Sequence, residues 1–72
     1  MSSLKSLREQ RLMTQVDLAK ASGVGIATIN RIENDKVTPS FKTTRAIAHA
    51  LSLDPIALRG LLTAKQGVLF GP

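Results

Sequence analysis

A chain of only 72 residues that contains no cysteine has few ways to form a stable domain. A single hydrophobic core of this size supplies only about 3–5 kcal/mol, so small domains usually add disulfides, a metal, dense helix packing or a partner subunit. Disulfides and thiolate metal sites are excluded, and one histidine with five scattered acidic residues offers no obvious metal cluster. Aromatic residues make up only 3% of the chain, so the core has to be aliphatic, which favours helices. We therefore expect no cofactor, and a fold held together by helix packing and self-association.

The charge balance favours a polyanionic partner. Ten Lys and Arg residues against five Asp and Glu give a net charge of +5 and a pI near 10.5, a bias that commonly indicates nucleic-acid binding. A basic domain without such a partner is the alternative, and a membrane-surface helix is a third interpretation. No apolar run approaches the roughly 20 residues of a membrane span, and the N-terminus has no apolar signal core. We expect a cytoplasmic protein that does not bind membranes.

Turn and capping signals divide the chain into five predicted helices and a tail, without any strand-like alternation. The first helix covers about residues 3–12. The predicted caps at the later helix starts are small or polar residues: Thr14, Gly25, Ser40 and Asp54. The predicted helix ends carry residues that tolerate turns: Gly23, Asn34–Asp35 and Ser52. Thr14 and Asp17 have the spacing of a capping box, and Pro55 suits the first position of the fifth helix.

The second and third helices have the spacing of a helix-turn-helix. About three residues separate them, with Gly23 in the turn and the small Ala19 where the helices cross. Three apolar residues are predicted to anchor the third helix to the core: Val24, Ile29 and Ile32. Four residues then remain on its outward face: Ile26, Ala27, Asn30 and Arg31. Such a face can enter the major groove of DNA.

The residues around this motif resemble the phage repressor/Cro-like helix-turn-helix regulators of bacteria and phages. The resemblance covers about residues 3–62, and two segments carry most of it: Thr14-Gln15 with Leu18-Ala19, and Thr28-Ile29-x-x-Ile32-Glu33-Asn34. It implies an all-α, compact five-helix domain of the lambda repressor-like kind, with no enzymatic activity. We accordingly assign residues 1–64 to a DNA-binding domain and residues 65–72 to a short C-terminal tail.

The resemblance also implies roles for individual side chains. Gln15 matches a phosphate contact at a helix N-terminus, where the helix dipole favours an anion. The full set of residues implied in DNA binding is Gln15, Ile26, Ala27, Thr28, Asn30, Arg31, Asn34 and Lys36. Within it, Asn34 and Lys36 match a second phosphate clamp, while the residues of the third helix match base contacts and their neighbours. Arg8 and Glu33 match a structural ion pair that ties the first helix to the third.

Several positions depart from the family pattern. Asp35 and Ser52 stand where the family usually has glycine, so backbone strain is expected near Asp35, and Thr44 replaces a usual core leucine. Ile26 and Ala27 are apolar where many relatives are polar. Contact with thymine methyl groups is one interpretation of that pair, and extra packing or a protein partner is the other.

Three functions therefore stay open. The first is a sequence-specific transcriptional repressor that binds a palindromic operator in double-stranded DNA as a homodimer. Its dimer surface is predicted on the fifth helix, which has four large apolar residues: Ile56, Leu58, Leu61 and Leu62. The second is an antitoxin or restriction–modification controller of the same fold, whose tail binds a toxin or another protein. The third is a helical interaction module that does not bind DNA. No arrangement of residues supports an enzyme.

Overall fold

The computed structural model describes residues 3–64, and this part of the chain forms five α-helices and no strand. The helices are α1 (Ser3–Gln10), α2 (Gln15–Ser22), α3 (Ile26–Glu33), α4 (Phe41–Leu51) and α5 (Pro55–Ala64). The all-α prediction is confirmed, although α1 ends two residues earlier than expected. The tail at 65–72 lies outside the described residues.

Local capping chemistry sets the helix ends. The Thr14 hydroxyl oxygen accepts a hydrogen bond from the Asp17 backbone N–H at 3.0 Å, and the Asp17 carboxylate accepts one from the Thr14 N–H at 2.9 Å. The bond from the Thr14 backbone N–H to the carboxylate is the largest of the effects that lower the pKa of Asp17, followed by the side chain of Thr14. Gly23 ends α2 with a left-handed φ of 77°. Two other predicted caps, Ser40 and Asp54, each accept a bond from the backbone N–H three residues later. These capping predictions are confirmed.

The core is aliphatic, as the composition predicts. Its fully or almost fully buried members are Leu4, Leu18, Ile29, Ile32, Ile47, Ala48, Leu51 and Leu58. Around this cluster, α2 packs on α3 and α4, α4 packs on α5, and α1 packs on α3 and α5. Thr44 is also buried, and its hydroxyl donates to the Ser40 carbonyl oxygen at 2.9 Å, which accommodates a polar residue where the family usually has leucine.

The dimer surface predicted on α5 needs a correction. Leu58 is fully buried and Leu62 packs against the core, so both complete the fold of the single chain. The exposed large apolar residues of α5 are Ile56 and Leu61. Because they are five positions apart, they lie about 140° apart around the helix axis and do not form one face.

Within residues 3–64, three residues other than glycine adopt a left-handed backbone: Leu12 with φ 56°, Asp35 with φ 57° and Ser52 with φ 58°. The strain expected at Asp35 is therefore confirmed, since an L-residue in this region costs roughly 1–2 kcal/mol, with Asp among the more tolerant types. At Leu12 no turn residue signals the conformation, which is why the sequence predicts a longer α1.

Candidate nucleic-acid interface

The turn between α2 and α3 consists of Gly23, Val24 and Gly25, as the helix-turn-helix spacing predicts. The left-handed Gly23 reverses the chain, and its N–H donates to the Ala19 carbonyl oxygen at 2.9 Å. Val24 packs against the core and fixes the turn. Gly25 precedes the first residue of α3, and a Cβ built at Gly25 would meet nothing within 4 Å. The start of α3 is therefore open to a close approach from outside.

The two faces of α3 are sharply different. Ile29 is fully buried and Ile32 is nearly so, which anchors the helix to the core. The predicted outward residues are all exposed: Ile26, Ala27, Asn30 and Arg31. Thr28 is half-buried and contributes less surface than its neighbours. The structure thus brings the predicted base-contacting residues onto one accessible face, while their contact with DNA stays a prediction.

The predicted phosphate ligand Gln15 belongs to a hydrogen-bonded network that the sequence does not reveal. Its Nε2 donates to Glu33 Oε1 at 3.1 Å. Glu33 is held in turn by Arg8, whose Nε donates to Oε2 at 2.7 Å and whose Nη2 donates to Oε1 at 3.1 Å. A third bond runs from Arg8 Nη1 to the Met13 carbonyl oxygen at 2.7 Å. The ion pair expected from the family resemblance is confirmed, and it orients Gln15 as well.

The electrostatics of this network favour a charged pair. Burial raises the pKa of Glu33, but hydrogen bonds from Arg8 and Gln15 and the attraction of Arg8 and Lys5 outweigh it, so the net shift is downward. The hydrogen bond to Glu33 raises the pKa of Arg8. Both side chains are less than one-tenth exposed, at 9% and 5%. Glu33 is therefore ionised at neutral pH and gives Gln15 a fixed, charged acceptor.

The residues of the predicted second phosphate clamp lie at and beyond the C-terminal end of α3. Asn34 is exposed, and its Nδ2 donates to Asn30 Oδ1 at 3.1 Å. This bond links a predicted phosphate ligand to a residue of the outward face and restrains both amides. Lys36 is exposed in the following loop, where its backbone N–H donates to the Arg31 carbonyl oxygen at 2.9 Å.

A second feature missed by the sequence analysis is an apolar edge, by which we mean Leu12, Val16 and Ile26. These side chains are 92%, 47% and 45% exposed, respectively. They line one shallow depression between the α1–α2 turn and the starts of α2 and α3, whose other lining residues are Arg8, Glu9, Met13, Thr14 and Gln15. Val16 precedes Asp17 in an ordinary capping sequence, so no local pattern marks it as part of an interface.

Other kinds of site find little support in the described part of the chain. Within residues 3–64, no group of three acidic or histidine side chains could hold a metal ion. None of the helices described is long and apolar enough to cross a membrane.

A fold of five helices in which a three-residue turn joins α2 to α3, and α3 exposes its outward face, is typical of a helix-turn-helix protein, and sequence comparison agrees. The Helix-turn-helix family model matches residues 4–58, so the chain belongs to the Cro/C1-type helix-turn-helix family, whose members are DNA-binding regulators and not enzymes. The "Immunity repressor protein" of Bacillus phage phi105 is 35% identical over 57 residues, which cover 79% of this chain. The chain spans 40% of the length of that relative. No solved structure matches the chain significantly.

Proposed function

We propose that the protein is a sequence-specific transcriptional repressor that binds a palindromic operator as a homodimer. The observation that carries this proposal is the outward face of α3, which is exposed along Ile26, Ala27, Asn30 and Arg31 while Ile29 anchors the other side. Each subunit would place α3 in the major groove, with half-sites about 34 Å apart. Occupation of a promoter would then exclude polymerase. The name of the phage relative, an immunity repressor, supports repression over activation.

Gln15 is suited to a phosphate contact. Its amide nitrogen carries two protons, and one of them is used by Glu33. The other proton can reach a phosphate oxygen, and the N-terminus of α2 adds backbone N–H groups and the positive end of the helix dipole. Because the contact is to the DNA backbone, Gln15→Ala is expected to weaken binding to every sequence by a similar factor.

Arg31 is suited to a base contact. It lies exposed on the outward face of α3, and its guanidinium can bind guanine O6 and N7 with two hydrogen bonds. Replacement by alanine should cost about 1–3 kcal/mol and relax base preference at one position per half-site. Arg31→Lys keeps the charge but loses the planar fork, so it should retain non-specific binding and lose discrimination. Equal loss of affinity by Arg31→Ala at every site would mean that Arg31 touches only the backbone.

The decisive experiment is selection of bound sequences from a random DNA pool, followed by titration of the selected site at several salt concentrations. If a dimer neutralises roughly 4–8 phosphates, the slope of log K against log salt should be about −4 to −7. A palindrome should emerge from the selection. The absence of an enriched sequence together with a slope near zero would refute DNA binding and favour a protein-interaction module.

For the homodimer we propose the patch formed by Phe41 and Ile56, which are 69% and 82% exposed. The two side chains line one apolar depression where α4 and α5 begin. Arg59 covers one face of the Phe41 ring, with its guanidinium carbon 4.4 Å from the ring centre, so the patch has a charged rim. Sedimentation should show that Ile56→Glu dissociates the dimer, whereas Leu61→Glu, on the other flank of α5, leaves it intact. The reverse result would place the dimer surface at Leu61.

A further inference from the structure

We infer that the patch of Phe41 and Ile56 binds an apolar segment from the tail of a second copy of the chain, so that the two subunits of the dimer exchange their tails. This tail segment consists of residues 68–70, with the sequence Val-Leu-Phe, and it lies outside the described residues. The inference rests on the proposed function, because it names the occupant of the surface proposed for the homodimer.

The first support is the size of the patch. A stable interface buries about 800 Å² on each partner. The two side chains of the patch can each bury roughly 100 Å² of apolar surface, so together they supply only about a quarter of that area. The dimer therefore needs further apolar surface, and the three large apolar residues of the tail segment would more than double what the patch offers.

The second support is the charge around the patch. Besides the two patch residues, its depression of about 430 Å³ is lined by Thr44, Arg45, Pro55 and Arg59. If two patches met directly across a two-fold axis, the guanidinium groups of both copies would come together, and like charges at an interface oppose binding. Residues 66–71 carry no charge. An uncharged apolar segment therefore suits this basic-rimmed patch better than a second patch does.

The third support is the position of the tail relative to the patch. Ile56 precedes Ala64, the last residue of α5, by eight positions, so the patch and the start of the tail are about 12 Å apart along the helix axis. To cover the patch of its own subunit, the tail would have to reverse direction within residues 65–67. Two α5 helices related by a two-fold axis across their sides run antiparallel, which brings the end of one beside the start of the other. The tail of one subunit then begins next to the patch of its partner.

The fourth support is Gly60, which is exposed in the middle of α5. Glycine in the interior of a helix is destabilising relative to alanine. Crowding does not explain it, because a Cβ built at Gly60 would meet nothing within 4 Å in the described part of the chain. Gly60 follows Ile56 by four positions, so both lie on one side of α5. A glycine on that side is accounted for if a second α5 approaches closely there.

Disulfide trapping tests whether the tail crosses between subunits, because the chain has no cysteine of its own. One variant carries Ala57→Cys, at an exposed position beside the patch, and a tagged variant of different mass carries Gly71→Cys, just after the tail segment. The two are mixed, allowed to exchange subunits and oxidised. We expect a covalent heterodimer, since a disulfide between the two variants can form only between subunits. With Lys20→Cys, at an exposed position of α2, in place of Ala57→Cys, the yield should fall to background.

Sedimentation equilibrium measures how much the contact contributes to dimerisation. Leu69→Ala should raise the dimer dissociation constant at least about tenfold, because each of the two tails loses the burial of a leucine. Leu12→Ala removes the same atoms from a side chain that is 92% exposed and lies outside the patch, so it should leave the constant unchanged. In an Ile56→Ala background, Leu69→Ala should have a smaller effect than in the parent protein, since side chains in contact share their interaction energy.

The outcomes separate this inference from the proposed function. A dimer that is unaffected by Leu69→Ala, or a heterodimer yield no higher than that of the Lys20→Cys control, overturns the tail exchange and leaves the homodimer standing. Tighter dimerisation of Leu69→Ala would show that the tail covers the patch of its own subunit, which also overturns the exchange. A parent protein that stays monomeric, with and without the selected operator, would refute the proposed homodimer as well.

Discussion

Replacing Arg8 with methionine is expected to destabilise the whole domain, although Arg8 lies outside the aliphatic cluster. Methionine keeps much of the aliphatic length and removes the guanidinium. The variant loses the bonds to both carboxylate oxygens of Glu33, at 2.7 and 3.1 Å, and the bond to the Met13 carbonyl oxygen. It leaves a carboxylate that is only 5% exposed without its counter-charge.

The magnitude follows from that burial. Removing one partner of a buried ion pair costs about 3–5 kcal/mol, because the remaining charge is desolvated and uncompensated. A core of this size supplies about the same amount. In a domain of 60–100 residues, each kcal/mol shifts the melting temperature by roughly 4–8 °C. Arg8→Met should therefore melt at least about 12 °C lower than the parent protein.

A double variant separates the contribution of the network to stability from its contribution to DNA binding. Arg8→Met combined with Glu33→Leu removes both charges, and such apolar replacements of buried ion pairs are often neutral or stabilising. We expect it to recover most of the lost stability. It also removes the acceptor that orients Gln15, so DNA affinity should stay reduced after the fold is restored.

Acid titration gives an independent check. Because the pKa of Glu33 is lowered in the folded protein, its carboxylate contributes stability above the unfolded pKa of about 4.3. That contribution is lost as the pH falls through the folded-state pKa. The melting temperature of the parent protein should consequently fall with pH in this range, and that of the double variant should fall less.

This double-mutant cycle is measured by thermal melts followed by far-UV circular dichroism. It compares the parent protein, the single variants Arg8→Met and Glu33→Leu, and the double variant. If Arg8→Met melts within about 4 °C of the parent, the ion pair contributes no more than about 1 kcal/mol. In that case the inference that burial makes the Arg8–Glu33 pair important for stability is refuted, and the network contributes little to the free energy of unfolding.

Three further predictions concern local stability and are measured by urea unfolding. Leu12→Gly should stabilise by about 0.5–1 kcal/mol, because the left-handed strain that it relieves is larger than the chain entropy that glycine costs. Lys20→Gly, in an exposed position of α2, should destabilise by about 1 kcal/mol, and equal destabilisation by both variants would contradict the strain at Leu12. Thr14→Ala should cost about 1 kcal/mol through loss of the capping box, and an unchanged unfolding midpoint would show that the cap is dispensable. Thr44→Val should change stability by less than about 1 kcal/mol, because the Ser40 carbonyl keeps its bond from the Thr44 backbone N–H; a much larger loss would show that the hydroxyl is needed.

Much of this protein is determined by signals that act within one or two helical turns. The capping box of Thr14 and Asp17 and the caps at Ser40 and Asp54 depend on hydrogen bonds between side chains and backbone groups three residues apart. The left-handed Gly23 bonds through its backbone N–H to the carbonyl oxygen of Ala19, four residues earlier. The inward spacing of Ile29 and Ile32 depends on the helical repeat alone. The five helices, the helix-turn-helix and the outward face of α3 were therefore predictable from the sequence, and the family resemblance added the Arg8–Glu33 pair.

Only the tertiary structure decided which residues from different helices meet. Gln15 and Glu33 are 18 residues apart, and no local pattern states that their side chains bond. The apolar edge likewise joins Leu12 to Ile26 across two turns, and Leu58 is buried while Ile56 is exposed because of how α5 crosses the core. Such contacts depend on the crossing of helices whose surfaces allow several packings, and the period of one helix carries no information about its neighbour's orientation.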